Sequence, residues 1–164
     1  MGSIGSEVAK RLSAFGCTIT YTSRNKKESI PFPFYTNVRD LEVNSDALIL
    51  CCPLTEETYH IVNKDVMAAL GKEGVIINVG RGSLVDKKEL VQCLVQGEIG
   101  GAGLDVYENE PSVPKELFGL DNVMLSPYCT VMTSESFEAL FRLIVGNLKA
   151  FFSIKPLVSV VSNE

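Results

Sequence analysis

Gly2-Ser3-Ile4-Gly5 fills the last four positions of the spacing G-x-G-x-x-G, with Met1 just before it. Glycines at that spacing serve the binding of a pyrophosphate. They let the phosphates approach the backbone, and the N–H groups of a helix N-terminus then face the charge. The first glycine of the spacing, and the strand that should lead into it, are not in the sequence. On spacing alone, a glycine pair without a role is an equal reading. Context raises the binding reading, because a helical pattern begins at the motif and a strand pattern follows it.

The next chemically informative segment is Ser23-Arg24-Asn25-Lys26-Lys27, at the end of that strand pattern. A site selective for NAD places Asp or Glu here to bond the ribose 2′-hydroxyl. A hydroxyl and cations stand here instead. Ser23, Arg24 and Lys26 suit a 2′-phosphate, and Arg24 is best matched through its planar fork of donors. The competing reading is an ordinary basic surface loop. Once a dinucleotide fold is granted, NADP is expected ahead of NAD.

Other chemistries find less support. The five cysteines, Cys17, Cys51, Cys52, Cys93 and Cys129, include no C-x-x-C pair, and His60 is the only histidine, so no metal site is expected. Reduced, mostly buried thiols in a reducing compartment are expected instead. A net charge of −5 argues against binding to nucleic acid. Apolar runs such as Ala47 to Cys52 are too short to span a membrane. No basic segment followed by an apolar one marks a signal peptide, and cytoplasm is the expected location.

The elements that must position these residues alternate between helix and strand patterns across 164 residues, which predicts an α/β fold with a largely parallel sheet. Ile4, Val8, Leu12 and Phe15 form one helical face, closed by Gly16. Strands are predicted at Thr18 to Thr22, Ala47 to Cys52, Val75 to Asn78, Gly101 to Val106 and Val123 to Leu125. Helices are predicted at Val38 to Asn44, Lys64 to Leu70 with Asn63 as N-cap, Asp86 to Gln96, and Ser134 to Phe152. Asp86 and Glu89 have the spacing of a capping box. Lys26 to Tyr35, with Pro31 and Pro33, and Glu108 to Asn122 read as loops. A tail containing Pro156 ends the chain.

Two segments then make a specific family resemblance. Ile76-Ile77-Asn78-Val79-Gly80-Arg81-Gly82 and Gly103-Leu104-Asp105-Val106-Tyr107-Glu108-Asn109-Glu110-Pro111 resemble signatures of the D-2-hydroxyacid dehydrogenases. Cys52-Pro53-Leu54-Thr55 and His60-Ile61-Val62-Asn63 are also similar to that family. Within it the chain looks most like the plant glyoxylate/hydroxypyruvate reductases that favour NADPH. The resemblance implies a Rossmann-type, doubly wound parallel sheet lacking its first strand. It implies a dinucleotide-binding domain over residues 1–153, a tail over 154–164, and a separate substrate domain that the sequence does not contain. The implied reaction is hydride transfer from NADPH, less readily NADH, to a small 2-keto acid. A homodimer is among the expected assemblies.

Position by position, the resemblance gives Arg81 the substrate carboxylate and keto oxygen, and gives Glu110 the task of orienting and charging the acid/base group. Asp105 would bond the nicotinamide amide, while Cys52, Pro53, Val79 and Gly80 would line the cofactor beside Gly2, Ser3 and Ile4. Without the family, Arg81 reads as a loop arginine and Glu110 as part of a solvated acidic loop. His60 reads as a packing or helix-flanking residue. One departure stands out: Tyr128 occupies the place of the family's acid/base histidine. Imidazole exchanges protons near neutrality, whereas a phenol titrates near about 10 and is a poor proton donor there. Two functions are therefore carried forward. One is a keto-acid reductase. The other is a catalytically impaired remnant that binds cofactor or a partner.

Overall fold

The computed structural model describes residues 1–160. The chain divides into two compact units, Met1–Pro127 and Tyr128–Glu164. The first carries β1 (Tyr21–Thr22), β2 (Phe34–Tyr35), β3 (Ala47–Leu50), β4 (Val75–Asn78), β5 (Gly101–Leu104) and β6 (Val123–Leu125). Between them run α1 (Ser3–Ala14), α2 (Val38–Glu42), α3 (Lys64–Leu70) and α4 (Lys87–Gln96). The second unit is built on α5 (Ser134–Phe152).

All the ladders are parallel. One sheet has the order β3-β4-β5-β6, and a separate pair is formed by β1 and β2. The division falls between β1 and β3, where the doubly wound order places the strand that leads into the glycine fingerprint. This agrees with the expected fold.

Local chemistry fixes most boundaries. Asn63 caps α3 by accepting from the Val66 N–H at 3.2 Å. Asp86 caps α4 by accepting from Lys88 and Glu89 N–H at 3.0 and 3.2 Å, and Gly97 ends it in the left-handed region at φ 66. Glu89 does not complete a capping box here; its carboxylate faces Lys64 at 3.9 Å. Thr133 caps α5. Side chains of β3, β4, β5, α3 and α4 form one buried cluster in which Met67, Ile76 and Leu84 are fully enclosed.

Several expectations need correction. The proline-containing loop ends in a strand, because Phe34 and Tyr35 find ladder partners in Tyr21 and Thr22. Thr18 to Thr20 are outside any strand, since the β1 ladder begins at Tyr21. The predicted strand from Ala47 stops at Leu50, just short of the two cysteines, and the one from Gly101 stops at Leu104. The apolar stripe of α1 is largely exposed at Ile4 and Phe15, and Ala9 is its buried residue. Of the cysteines only Cys93 is fully buried; Cys17 and Cys129 are exposed. The last four residues of the predicted tail lie outside the described residues.

Glu42 ends α2 with its side chain enclosed and neither oxygen hydrogen-bonded within the described residues. Burial pushes its carboxyl up to about 8 from the usual 4.5. Below pH 4.5 it is protonated both folded and unfolded. As pH rises from 4.5 to 8 the unfolded chain releases this proton and the folded chain keeps it, so stability falls across that window. Glu42→Gln should therefore melt on the order of 5 °C higher than the parent at pH 8. That gap should close as pH approaches 4.5; thermal melts across the range check it.

Candidate cofactor and substrate site

Gly2 is the N-cap of α1 in extended backbone, and its carbonyl accepts the first helical bond, from the Ser6 N–H at 3.0 Å. The N–H groups of Ser3, Ile4 and Gly5 precede that bond and point out of the helix end. A side-chain carbon placed on Gly2 would meet nothing within 4 Å, so there is room beside this end for a phosphate. Gly5 lies against Cys51, where an added carbon would stand 3.8 Å from Cys51 Cβ. The fingerprint therefore sits beside the segment that follows β3. Burial is the main cause that raises the thiols of Cys51 and Cys52, so both stay protonated near neutrality.

The basic loop after β1 folds back on this end, with Lys27 Nζ donating to the Met1 carbonyl at 2.6 Å. Ser23 Oγ donates to the Asn25 carbonyl at 2.6 Å, and Lys26 lies 4.0 Å from Glu28. Arg24 is exposed. A hydrogen bond from Thr55, with a smaller contribution from the Arg24 charge, holds Glu57 below the ordinary carboxylate range. A groove of about 470 Å³ runs along the loop, lined by Lys26, Lys27, Ile30 and Phe32.

At the carboxyl ends of β4 and β5 the remaining residues meet. Val79 N–H donates to the Leu50 carbonyl at 3.3 Å. An added carbon on Gly80 would stand 3.1 Å from the Cys52 carbonyl, so Val79 and Gly80 adjoin Cys52 and Pro53. The buried Asn78 side chain holds the turn from inside. It accepts from Gly80 N–H at 3.1 Å and donates to the Arg81 carbonyl at 3.0 Å. Arg81 is exposed, with Nη1 donating to the Gly80 carbonyl at 2.7 Å.

Gly82 then packs directly on the peptide joining Tyr107 and Glu108. That peptide belongs to the loop carrying Glu110, whose Oε1 accepts from the Tyr107 N–H at 2.9 Å. Tyr107 anchors the loop by donating to the carbonyls of Leu104 and Ser126 at 3.1 and 3.0 Å. Asp105 is buried, accepts from Ser126 Oγ, and donates its own N–H to the Asn78 carbonyl at 3.1 Å.

The structure thus places the fingerprint, the basic loop and the Cys52–Pro53 and Val79–Gly80 pairs on one end of the parallel strands. The Arg81 turn and the Glu110 loop sit in contact beside them. This is where an open α/β sheet binds its ligand. Tyr128 belongs to the second unit; it is exposed, with left-handed backbone at φ 55. Sequence reasoning missed Asn78 and Gly82 as positioning residues. Both lie in the quoted signature, where an Asn in an apolar strand and a Gly after an arginine were the available signals.

A parallel sheet with a glycine-led helix and a ligand face at its carboxyl end defines a dinucleotide-binding α/β domain. Residues 1–130 match the family described as D-isomer specific 2-hydroxyacid dehydrogenase, NAD binding domain, and the chain belongs to that family. It is 60% identical over 161 residues to the glyoxylate/hydroxypyruvate reductase HPR3 of Arabidopsis thaliana, covering 98% of this chain and 50% of that protein. It is 52% identical to a hydroxyphenylpyruvate reductase of Plectranthus scutellarioides, covering 98% of this chain and 51% of the relative. A crystal structure of an NADPH-dependent glyoxylate/hydroxypyruvate reductase from Sinorhizobium meliloti, in complex with NADP and malonate, superposes with a TM-score of 0.94 at 43% identity. That match covers 98% of this chain and 50% of the other. The chain spans about half the length of these relatives. No helix among the described residues is long and apolar enough to cross a membrane.

Gly82→Ala forces its methyl group into backbone rather than into a movable side chain. The Arg81 turn and the Glu110 loop must then separate, at a loss of about 3 kcal/mol of stability or more. A denaturant titration of the variant against the parent checks this.

Proposed function

We propose that the chain is the nicotinamide-cofactor half of a reductase that converts a small 2-keto acid, such as glyoxylate or hydroxypyruvate, to its 2-hydroxy acid, with NADPH preferred to NADH. The observation that carries this reading is the contact of the Arg81 turn with the Glu110 loop at the carboxyl end of the sheet. NADPH supplies the hydride when bound. Ser3 and Ile4 N–H at the α1 N-terminus would hold the pyrophosphate, with Gly2 leaving it space. Ser23, Arg24 and Lys26 would hold the 2′-phosphate. Cys52, Pro53, Val79 and Gly80 would flank the nicotinamide side, and Asp105 would take its amide. Arg81 would grip the substrate carboxylate and draw electrons from the keto oxygen. Glu110 would orient and charge the group that donates the proton. A cytoplasmic setting and a homodimer belong to the same proposal, and the exposed apolar residues of α5 support the homodimer.

Tyr128 favours a second reading. It stands where the family resemblance calls for the acid/base histidine, and a phenol can donate a hydrogen bond to the keto oxygen but is poorly matched to proton transfer at neutrality. On this reading the chain binds cofactor or a partner and turns over slowly. Oxidation of NADPH by hydroxypyruvate separates the two. It should be followed for the chain as it stands and for its Tyr128→His variant, each alone and joined to the N-terminal half of a curated relative. Turnover by the unaltered sequence supports the reductase. Recovery only with Tyr128→His, by roughly 10²–10⁴-fold, supports the second reading. In either case Arg24→Ala should weaken NADPH binding by about tenfold and leave NADH unchanged.

A further inference from the structure

His60 lies outside the fingerprint, the arginine turn and the acidic loop, yet its imidazole joins the last two. Nε2 is 3.0 Å from Glu108 Oε1, in the loop that carries Glu110. Nδ1 is 3.5 Å from Asp86 Oδ2, the N-cap of the helix that follows the Arg81 turn. The His60 N–H donates to the Ser83 carbonyl at 2.8 Å, one residue beyond Gly82. Neighbouring bonds extend the seam, from Val62 N–H to Leu84 at 3.0 Å and from Asp86 N–H to Val62 at 2.9 Å.

The ring is fixed from other directions too. Tyr59 stacks on it with centroids 4.0 Å apart and planes 18° apart, and its hydroxyl is 3.5 Å from Glu108 Oε1. Lys87 reaches the other Glu108 oxygen at 3.8 Å. The side chains of His60, Asp86 and Glu108 are only 25%, 29% and 18% exposed, so water competes weakly for these bonds. His60 holds left-handed backbone at φ 50, a conformation that persists in a residue other than glycine when its surroundings fix it.

A packing residue needs none of these directed bonds. We propose that His60 is a positioning residue: by bridging Glu108 and Asp86 it holds the Glu110 loop in register with the Arg81 turn. The inference rests on the function proposed above for Arg81 and Glu110. Its physical content is that Glu108 is anchored two residues before Glu110, on the far side of the peptide that Gly82 supports. Without the imidazole Glu108 keeps only the longer contacts to Lys87 at 3.8 Å and to the Tyr59 hydroxyl at 3.5 Å, and Glu110 is held less firmly in its direction.

The Tyr107 amide reports this directly, since it donates to Glu110 Oε1. Amide hydrogen exchange should be followed residue by residue in the parent, His60→Ala and His60→Gln. Glutamine keeps one N–H donor for Glu108. Exchange at Tyr107 should accelerate by about tenfold in His60→Ala, the loss expected for one charge-assisted hydrogen bond, and should return toward the parent in His60→Gln. Amides of α3 and β4 should not change. Unchanged exchange at Tyr107, or equal acceleration at every amide, would overturn the proposal. If His60→Ala does not fold, Glu108→Ala removes the acceptor, breaks the same bridge from the other side and is read the same way. In the form competent for turnover, His60→Ala should lower kcat and leave KM for NADPH unaltered. Failure of the parent to reduce any 2-keto acid would remove the proposed function while the exchange result still decides the role of His60.

Discussion

Gly82 carries no side chain where the Tyr107–Glu108 peptide crosses it, and the arrangement of the site depends on that contact. The parallel register of β4 and β5, with Asn78 opposite Leu104, brings two loops out at the same height. A side chain at position 82 would hold them apart. Without one, a cationic turn and an acidic loop share a surface. Asn78 then fixes the turn from below, and Tyr107 fixes the loop from behind. Each polar group that the strands bury at this end is used to hold a loop, in keeping with the cost of leaving such groups unpaired.

The cofactor face follows from the same geometry one strand further along. β3 ends early, and Cys51 beyond it lies against Gly5 of α1. The helix N-terminus is open beside Gly2. The basic loop after β1 closes the other flank through Lys27. The carboxyl ends of the two sheets thus present cations after β1, N–H donors at the start of α1, and an arginine and a carboxylate after β4 and β5.

Much of this was legible in the residues. The helices at 64–70 and 134–152 and the strands at 75–78 and 123–125 stand where periodicity and caps put them. These segments carry strong local signals, such as Asn63 before an apolar helix or an unbroken apolar run between turns. β2 was not legible, because two residues after prolines become a strand only by finding β1. The bridge from His60 to Glu108 spans 48 positions, and no local pattern records such a pairing. Glu42 is buried by the elements packed around α2, which its own segment does not reveal. The roles proposed for Arg81 and Glu110 rest on the family signatures alone, since a loop arginine and an acidic loop are common on any surface.

The central claim is that the carboxyl end of this sheet is one continuous dinucleotide site. Titration of the isotopically labelled chain with NADPH, following each backbone amide by two-dimensional NMR, tests it most directly. The account predicts saturable shifts confined to Ser3, Ile4 and Gly5, the Ser23 to Lys27 loop, Val79, Gly80 and Asp105. Absence of saturable shifts, or shifts that cluster away from this end of the sheet, would contradict it.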